Sequence, residues 1–545
     1  MTRVIPVVDL FAGPGGLSHG FSVFRSKDVA FDIKLSIEKD EVAWRTLLLR
    51  AFLRQFAQPP AAYYRFLRCE HGVDRDFLAS EYPEQWAAAQ QEARRWTLGE
   101  EPFSTVSAAI SKVLGTAEQW VLLGGPPCQA YSLAGRVRMK HLPQFSSDAR
   151  HTLYREYLKI VAVHQPTMFV MENVKGMLSS IHGTRGEATS VFARILADLR
   201  NPGGATATDS DIASLLPPPN QRHKYVIHSF VTKLRDPACL QPNDFVIKSE
   251  DWSVPQKRHR VILFGVRADV NVNPSTLDDL FTRAQVNIED VIGSLPKLRS
   301  RISGSDDSQE AWIAAIRQIT RKTITTDIKD VNVRRALTRE LTRVSVRANV
   351  GAPYQPSRAV ARKITRWLSD EKLGGVIQHQ SRSHMPSDLL RYFFAACSAK
   401  ETKTSPRLRD FPPALLPNHR NAQQGHAGAL RSVAMDFADR FRVQIAQRPA
   451  TTIMSHISKD GHYYIHYDPS QCRSLTVREA ARIQTFPDTY YFEGNRTQQY
   501  HQVGNAVPPL LAFKLASVVA DAFRRPVLSV RTQPTDRRQE VLTFD

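Results

Sequence analysis

An apolar run at 4–10 ends in Asp9-Leu10-Phe11-Ala12-Gly13-Pro14-Gly15-Gly16-Leu17, and Leu17, Phe21 and Phe24 then recur at helical spacing. Such a stretch reads as a strand, a glycine-rich turn and a helix start. That order brings backbone close to a ligand and points N–H groups at its polar end. The glycines do not spell GxGxxG, so the turn alone does not name the ligand, and Pro6 counts against a central strand. A second strand is expected at 33–37, closed by Glu38. An acid there suits a ribose diol; a solvated strand end is the plain alternative.

The stretch at 120–123 reads as a short buried strand, followed by Gly124-Gly125-Pro126-Pro127-Cys128-Gln129. Two glycines turn the chain and two prolines stiffen it ahead of a lone thiol. A free thiol is only a few per cent thiolate at about pH 7, so a nucleophilic Cys128 needs help from its surroundings. Another apolar strand, 167–171, delivers Glu172-Asn173-Val174 at its carboxyl end. That edge of an open α/β sheet is where ligands bind, and partial desolvation there helps a carboxyl hold a proton. Gln256-Lys257-Arg258-His259-Arg260 feeds a further strand. If extended, Arg258 and Arg260 share a face, where their planar forks suit phosphate or base edges. A charge-guarded strand edge is the bland reading.

A chain of 545 residues is expected to form two lobes, or one lobe with large insertions. The net charge of +20 suggests a polyanionic partner. Five scattered cysteines without a CxxC pair argue against a disulfide framework or a zinc site, so no metal is expected. No signal peptide or membrane span is expected. The alanine- and arginine-rich block around 45–115, including a helix over 81–96, reads as a helical insertion. The basic stretch 136–150 is a candidate closing loop. After about 268 the strand–helix rhythm stops, and 314–347 carries nine Lys or Arg against three Asp or Glu. This is a second, irregular lobe suited to phosphate contact. Regularity returns with a capping box, Thr476-x-x-Glu479, expected to open an amphipathic helix that stops at Pro487. Gly504-Asn505-Ala506-Val507 and a last helix at 510–523 follow.

In this order the segments Asp9–Gly16, Gly125–Gln129, Glu172–Val174, Gln256–Arg260, Arg478–Pro487 and Gly504–Val507 resemble the DNA cytosine-5 methyltransferases of bacterial restriction–modification type. The resemblance spans about 4–267 and 450–524. It implies a doubly wound, Rossmann-like α/β methyltransferase sheet with an inserted small basic target-recognition domain. The expected parts are a catalytic domain at 1–267, the recognition domain at 268–449, a return segment at 450–524 and a tail at 525–545. The resemblance also implies Cys128 as nucleophile, Glu172 on the cytosine ring, Asn173 in support, and Arg258 and Arg260 holding the base. S-adenosylmethionine would be bound by Phe11, Gly13, Gly15, Gly16, Leu17, Glu38, Pro126, Asn505 and Ala506. The acid on its adenine is not fixed; Glu100 and Glu101 are candidates. Duplex DNA is the implied partner, with a restriction endonuclease or defence proteins beside it, in a bacterial cytoplasm. An RNA cytosine-5 methyltransferase and a non-catalytic DNA-binding relative are the alternatives.

Overall fold

The computed structural model describes residues 2–127, 149–179, 181–182, 189–270, 272–304, 306–319, 323, 327–344, 349–417 and 440–524. Cys128, and the basic stretch 136–150 up to the start of helix Ala149–His164, lie outside them.

An eight-stranded sheet organises the first lobe. Its strands are β1 (Arg3–Leu10), β2 (Val29–Glu38), β3 (Ala93–Arg95), β4 (Val121–Gly124) and β5 (Met168–Val174), followed by Tyr225–His228, Val246–Lys248 and His259–Arg267. The order β3-β2-β1-β4-β5 is parallel throughout. His259–Arg267 runs antiparallel to β5 and pairs with Tyr225–His228 and Val246–Lys248. Pro6 does not exclude β1 from the middle, where it pairs on both sides.

Both faces are covered, as parallel strands require. On one face Leu17, Phe21 and Phe24 pack with Leu511, Leu515 and Val519 of the last helix, Pro509–Arg524. The other face is covered by Phe103–Leu114, Ala149–His164 and Val191–Arg200. The stretch Arg496–Arg524 is long and apolar enough to cross a membrane, but 89% of its most apolar window is buried in the fold.

The expected helix over 81–96 is in fact Pro83–Glu92, after which Ala93–Arg95 becomes the edge strand β3. Phe103–Leu114 belongs to a sheet-covering layer, whereas Leu48, Phe52, Tyr63, Leu67, Leu78 and Trp86 form a smaller core with Ala12, Leu373 and Ile377.

The cores of the second lobe do not divide at residue 449. Ile288, Val291 and Ile364 pack with Ala480, Ile483 and Phe486, while Trp312, Leu337 and Phe393 pack with Phe441, Ile465 and Cys472. The capping box at Thr476 forms, but helix Val477–Ile483 is buried on every side rather than amphipathic. Its charges are matched internally. Arg473 pairs with Glu479, Arg482 pairs with Asp488, and Arg478 donates to the carbonyls of Ile377, Pro487 and Tyr490. Arg482 also reaches the Val291 and Ala359 carbonyls, so this helix is bonded to residues from the other side of the expected boundary at 449.

Candidate active site

The strand order reverses between β1 and β4, and a crevice opens at such a point beyond the carboxyl ends of the strands. Register fixes what meets there. Leu10 lies opposite Gly124, and Gly124 lies opposite Met171. The turn after β1, the Gly125-Pro126-Pro127 turn after β4 and Glu172 on β5 are thereby brought to one edge.

On the β1 side, Phe11 adopts a left-handed φ of 56° and is half-buried. Such a conformation costs an aromatic residue about 1–3 kcal/mol and clusters at functional sites. Gly13, at φ +56°, faces open space, and its N–H donates to Glu38 Oε2 at 2.8 Å. Glu38 Oε1 accepts from Asp40 N at 2.8 Å. Burial raises the Glu38 pKa, and these N–H donors oppose the shift. Gly15 sits at φ +89°, with Leu47 and the Tyr490 hydroxyl where a side chain would go. At Gly16 the missing side chain admits Ala506 and the Val507 carbonyl, which brings the return segment against the turn. Ala506 is buried and Asn505 exposed beside it. Leu17 is committed to the core, so only its backbone remains on the turn. Glu100 and Glu101 lie in the turn after β3, their N–H groups donating to Thr97 O.

On the β5 side, Arg260 lies opposite Val174 and Ile262 opposite Glu172. This diagonal places Arg260 and Glu172 on one face. Arg260 Nε meets Glu172 Oε1 at 2.8 Å, with both side chains 15% exposed. A Cβ at Gly125 would sit 3.3 Å from Glu172 Oε2, so glycine there lets the turn close on the carboxylate. Asn173 Nδ2 donates to Pro126 O at 3.3 Å and its Oδ1 accepts from Val174 N. Asn173 thus locks β5 to the Gly125-Pro126-Pro127 turn.

Arg258 does not share the face of Arg260. The strand is interrupted: Gln256–Lys257 pairs with Ala450–Thr451, and the main strand restarts at His259. Arg258 is buried and donates to Ile453 O at 2.8 Å and Gly504 O at 3.1 Å. Burial, reinforced by Arg260, holds its pKa well below the usual arginine range. It clamps the return segment and has no opening to a base.

Asp9 is 1% exposed, and its carboxylate is set against Ser18. Its signal in the sequence was an acid inside an apolar strand. Burial pushes its pKa up to about 7, against the pull of Ser18 and Arg54. A raised acid pKa means that the folded state keeps a proton which the unfolded chain releases above the ordinary carboxylate value of 3.8. Stability from this group is therefore lost as pH rises from about 4 to about 7, by at most about 4 kcal/mol. Asp9→Asn removes the titration. In the ligand-free protein its melting temperature relative to wild type is expected to be higher at pH 8 than at pH 5, read by thermal-shift titration. A pH-independent difference would contradict the assignment.

A glycine turn on one side and a carboxylate–arginine pair on the other meet at the crevice where open α/β sheets bind ligands. Residues 84–209 and 220–520 match the family model of the C-5 cytosine-specific DNA methylases. The chain is 31% identical over 536 residues to type II methyltransferase M.Bpa9945I of Bacillus paralicheniformis, covering 95% of this chain and 99% of that one. It is 24% identical over 528 residues to type II methyltransferase M.DdeI of Desulfomicrobium norvegicum, covering 95% and 89%. To type II methyltransferase M.XorII of Xanthomonas oryzae it is 23% identical over 530 residues, covering 96% and 86%. The chain belongs to the C-5 cytosine-specific DNA methylase family, and it is a DNA (cytosine-5)-methyltransferase.

Proposed function

We propose that the chain methylates C5 of a cytosine flipped out of duplex DNA, with Cys128 as transient nucleophile. The observation that carries this reading is the Arg260–Glu172 pair held against the Gly125-Pro126 turn. Cytosine C5 is a weak nucleophile. Addition of the Cys128 thiolate to C6 makes an enamine whose C5 is reactive. Glu172 meets N3 and keeps negative charge from building on the ring, and Arg260 orients Glu172. Once C5 carries the methyl group, loss of its proton and departure of Cys128 Sγ from C6 restore the aromatic ring. Asn173 positions the nucleophile's turn, and Arg258 is a positioning residue for the return segment.

The β1 edge suits an adenosyl group bearing a charged tail. Gly13 faces open space, Phe11 offers a half-buried ring, and Glu38 a carboxylate. S-adenosylmethionine would supply the methyl group there, held by Phe11, Gly13, Gly15, Glu38 and the Asn505–Ala506 turn, with backbone from Gly16, Leu17 and Pro126. No metal enters this scheme.

The catalytic unit takes in 1–267 and 450–524, and 268–449 supplies most of a basic target-recognition lobe. The type II relatives favour a host-protecting modification enzyme acting in the bacterial cytoplasm on the nucleoid, with a cognate restriction endonuclease or defence proteins alongside. Bisulfite sequencing of DNA from cells expressing the chain is expected to show one short sequence protected at cytosine. Label passing from S-adenosylmethionine to tRNA and not to DNA would overturn the choice of substrate.

A further inference from the structure

Met454 is 50% exposed. Single apolar side chains on a surface are ordinary, but this one stands on backbone fixed from beneath by buried groups. Ile453 N donates to Gln256 Oε1 at 2.9 Å, and Ile453 O accepts from Arg258 at 2.8 Å. Met454 N donates to the Tyr464 hydroxyl at 3.1 Å, and that hydroxyl donates to Thr452 O at 3.0 Å. Thr452 Oγ1 donates to Lys257 O at 2.5 Å. Gly504 packs so tightly here that any side chain on it would strike the Met454 carbonyl and Ser455 N. The result is a rigid ledge with a long apolar side chain directed outward.

The ledge is tied to the catalytic edge by register. Ala450 and Thr451 pair with Gln256 and Lys257, and three residues beyond Lys257 stands Arg260, the partner of Glu172. Lys257, His456 and Lys459 are exposed along it, a charge pattern that favours a polyanion over a hydrophobic protein partner. Extruding a base leaves a gap in the stack and costs a few kcal/mol. Apolar wedges inserted between base steps are one way to fill such a gap, and unbranched methionine adapts to an irregular one. A ledge ordered before DNA arrives loses little conformational entropy on binding.

We propose, on the basis of the activity above, that Met454 is the wedge that enters the duplex where the target cytosine leaves. Its role is to hold the cytosine out, and it takes no part in bond making. A wedge matters only when pairing and stacking pull the base back. The test compares wild type, Met454→Ala and Met454→Leu on two duplexes bearing the sequence mapped by bisulfite sequencing. In one the target cytosine faces guanine, and in the other it faces an abasic site. Met454→Ala is expected to lose about tenfold or more in kcat/KM on the paired duplex and less than about twofold on the abasic one. Met454→Leu should restore most of the paired-duplex rate. Equal losses on both duplexes, or no loss on either, would overturn the wedge while leaving the activity intact. Wild-type protein inactive on both duplexes would instead overturn the proposed activity, and the wedge with it.

Discussion

Cys128→Ser is expected to lower methyl transfer by at least about 10⁴-fold while DNA binding stays measurable. Removing a covalent nucleophile typically costs this much or more, and a serine hydroxyl near neutral pH is far less available as an anion than a thiol. The groups around the Gly125-Pro126-Pro127 turn that leads to position 128 are the reason to expect so large an effect. Gly125 admits the Glu172 carboxylate, Asn173 holds the Pro126 carbonyl, and Arg260 holds Glu172, so the turn can present one atom to one ring position. Binding affinity should survive because it comes chiefly from phosphate contacts, and it should fall steeply with salt. A duplex with 5-fluorocytosine at the target gives a second readout. Fluorine cannot leave C5 as the proton does, so wild-type enzyme should stay covalently attached in the presence of the methyl donor. The serine variant should not. Turnover by the serine variant above about one per cent of wild type, or failure of wild type to be trapped while it turns over ordinary duplex, would remove Cys128 from the mechanism.

What could be read from the sequence was local, and what could not depended on distant partners. The turn after β1 was legible because glycine spacing and the following Leu17, Phe21 and Phe24 are neighbours in the chain. The place of Glu172 near the carboxyl end of β5 was legible because the apolar run 167–171 leads into it. β3 was not: Ala93-Arg94-Arg95 follows an alanine-rich helix without a break, and it becomes a strand only because β2 offers Ser36, Ile37 and Glu38 for pairing. Tertiary pairing there overrides helix propensity. Arg258 shares a face with Arg260 only if the strand is continuous, and it breaks between Lys257 and His259. Its true partners, the Ile453 and Gly504 carbonyls, lie about 200 residues downstream or more. The same limit applies to helix Val477–Ile483. Arg478, Glu479 and Arg482 look like a solvated face until Ile377, Arg473 and Asp488 are seen around them. Buried charge is rare unless paired, so the local pattern favoured exposure.

That buried pairing makes Glu479→Gln the substitution with the largest expected effect on stability. Arg473 and Glu479 are each 1% exposed and meet through two bonds of 2.7 Å. Glutamine keeps the shape and an acceptor for Thr476 N, but leaves a guanidinium buried without its counter-charge. Breaking such a pair from one side costs about 3–5 kcal/mol. The expected result is a large fall in the urea midpoint at pH 7, with near-native secondary structure before unfolding. Burial alone would raise the Glu479 pKa, but Arg473, followed by His466, holds it far below the ordinary glutamate value of 4.5. For an acid whose folded pKa is depressed, the stabilisation is complete above the unfolded value and lost as pH falls toward the folded one. The gap between wild type and Glu479→Gln should therefore be widest at pH 6–7 and narrow progressively below about pH 4.5. A gap of constant size across that range would mean that shape and packing at residue 479, rather than its charge, set the stability.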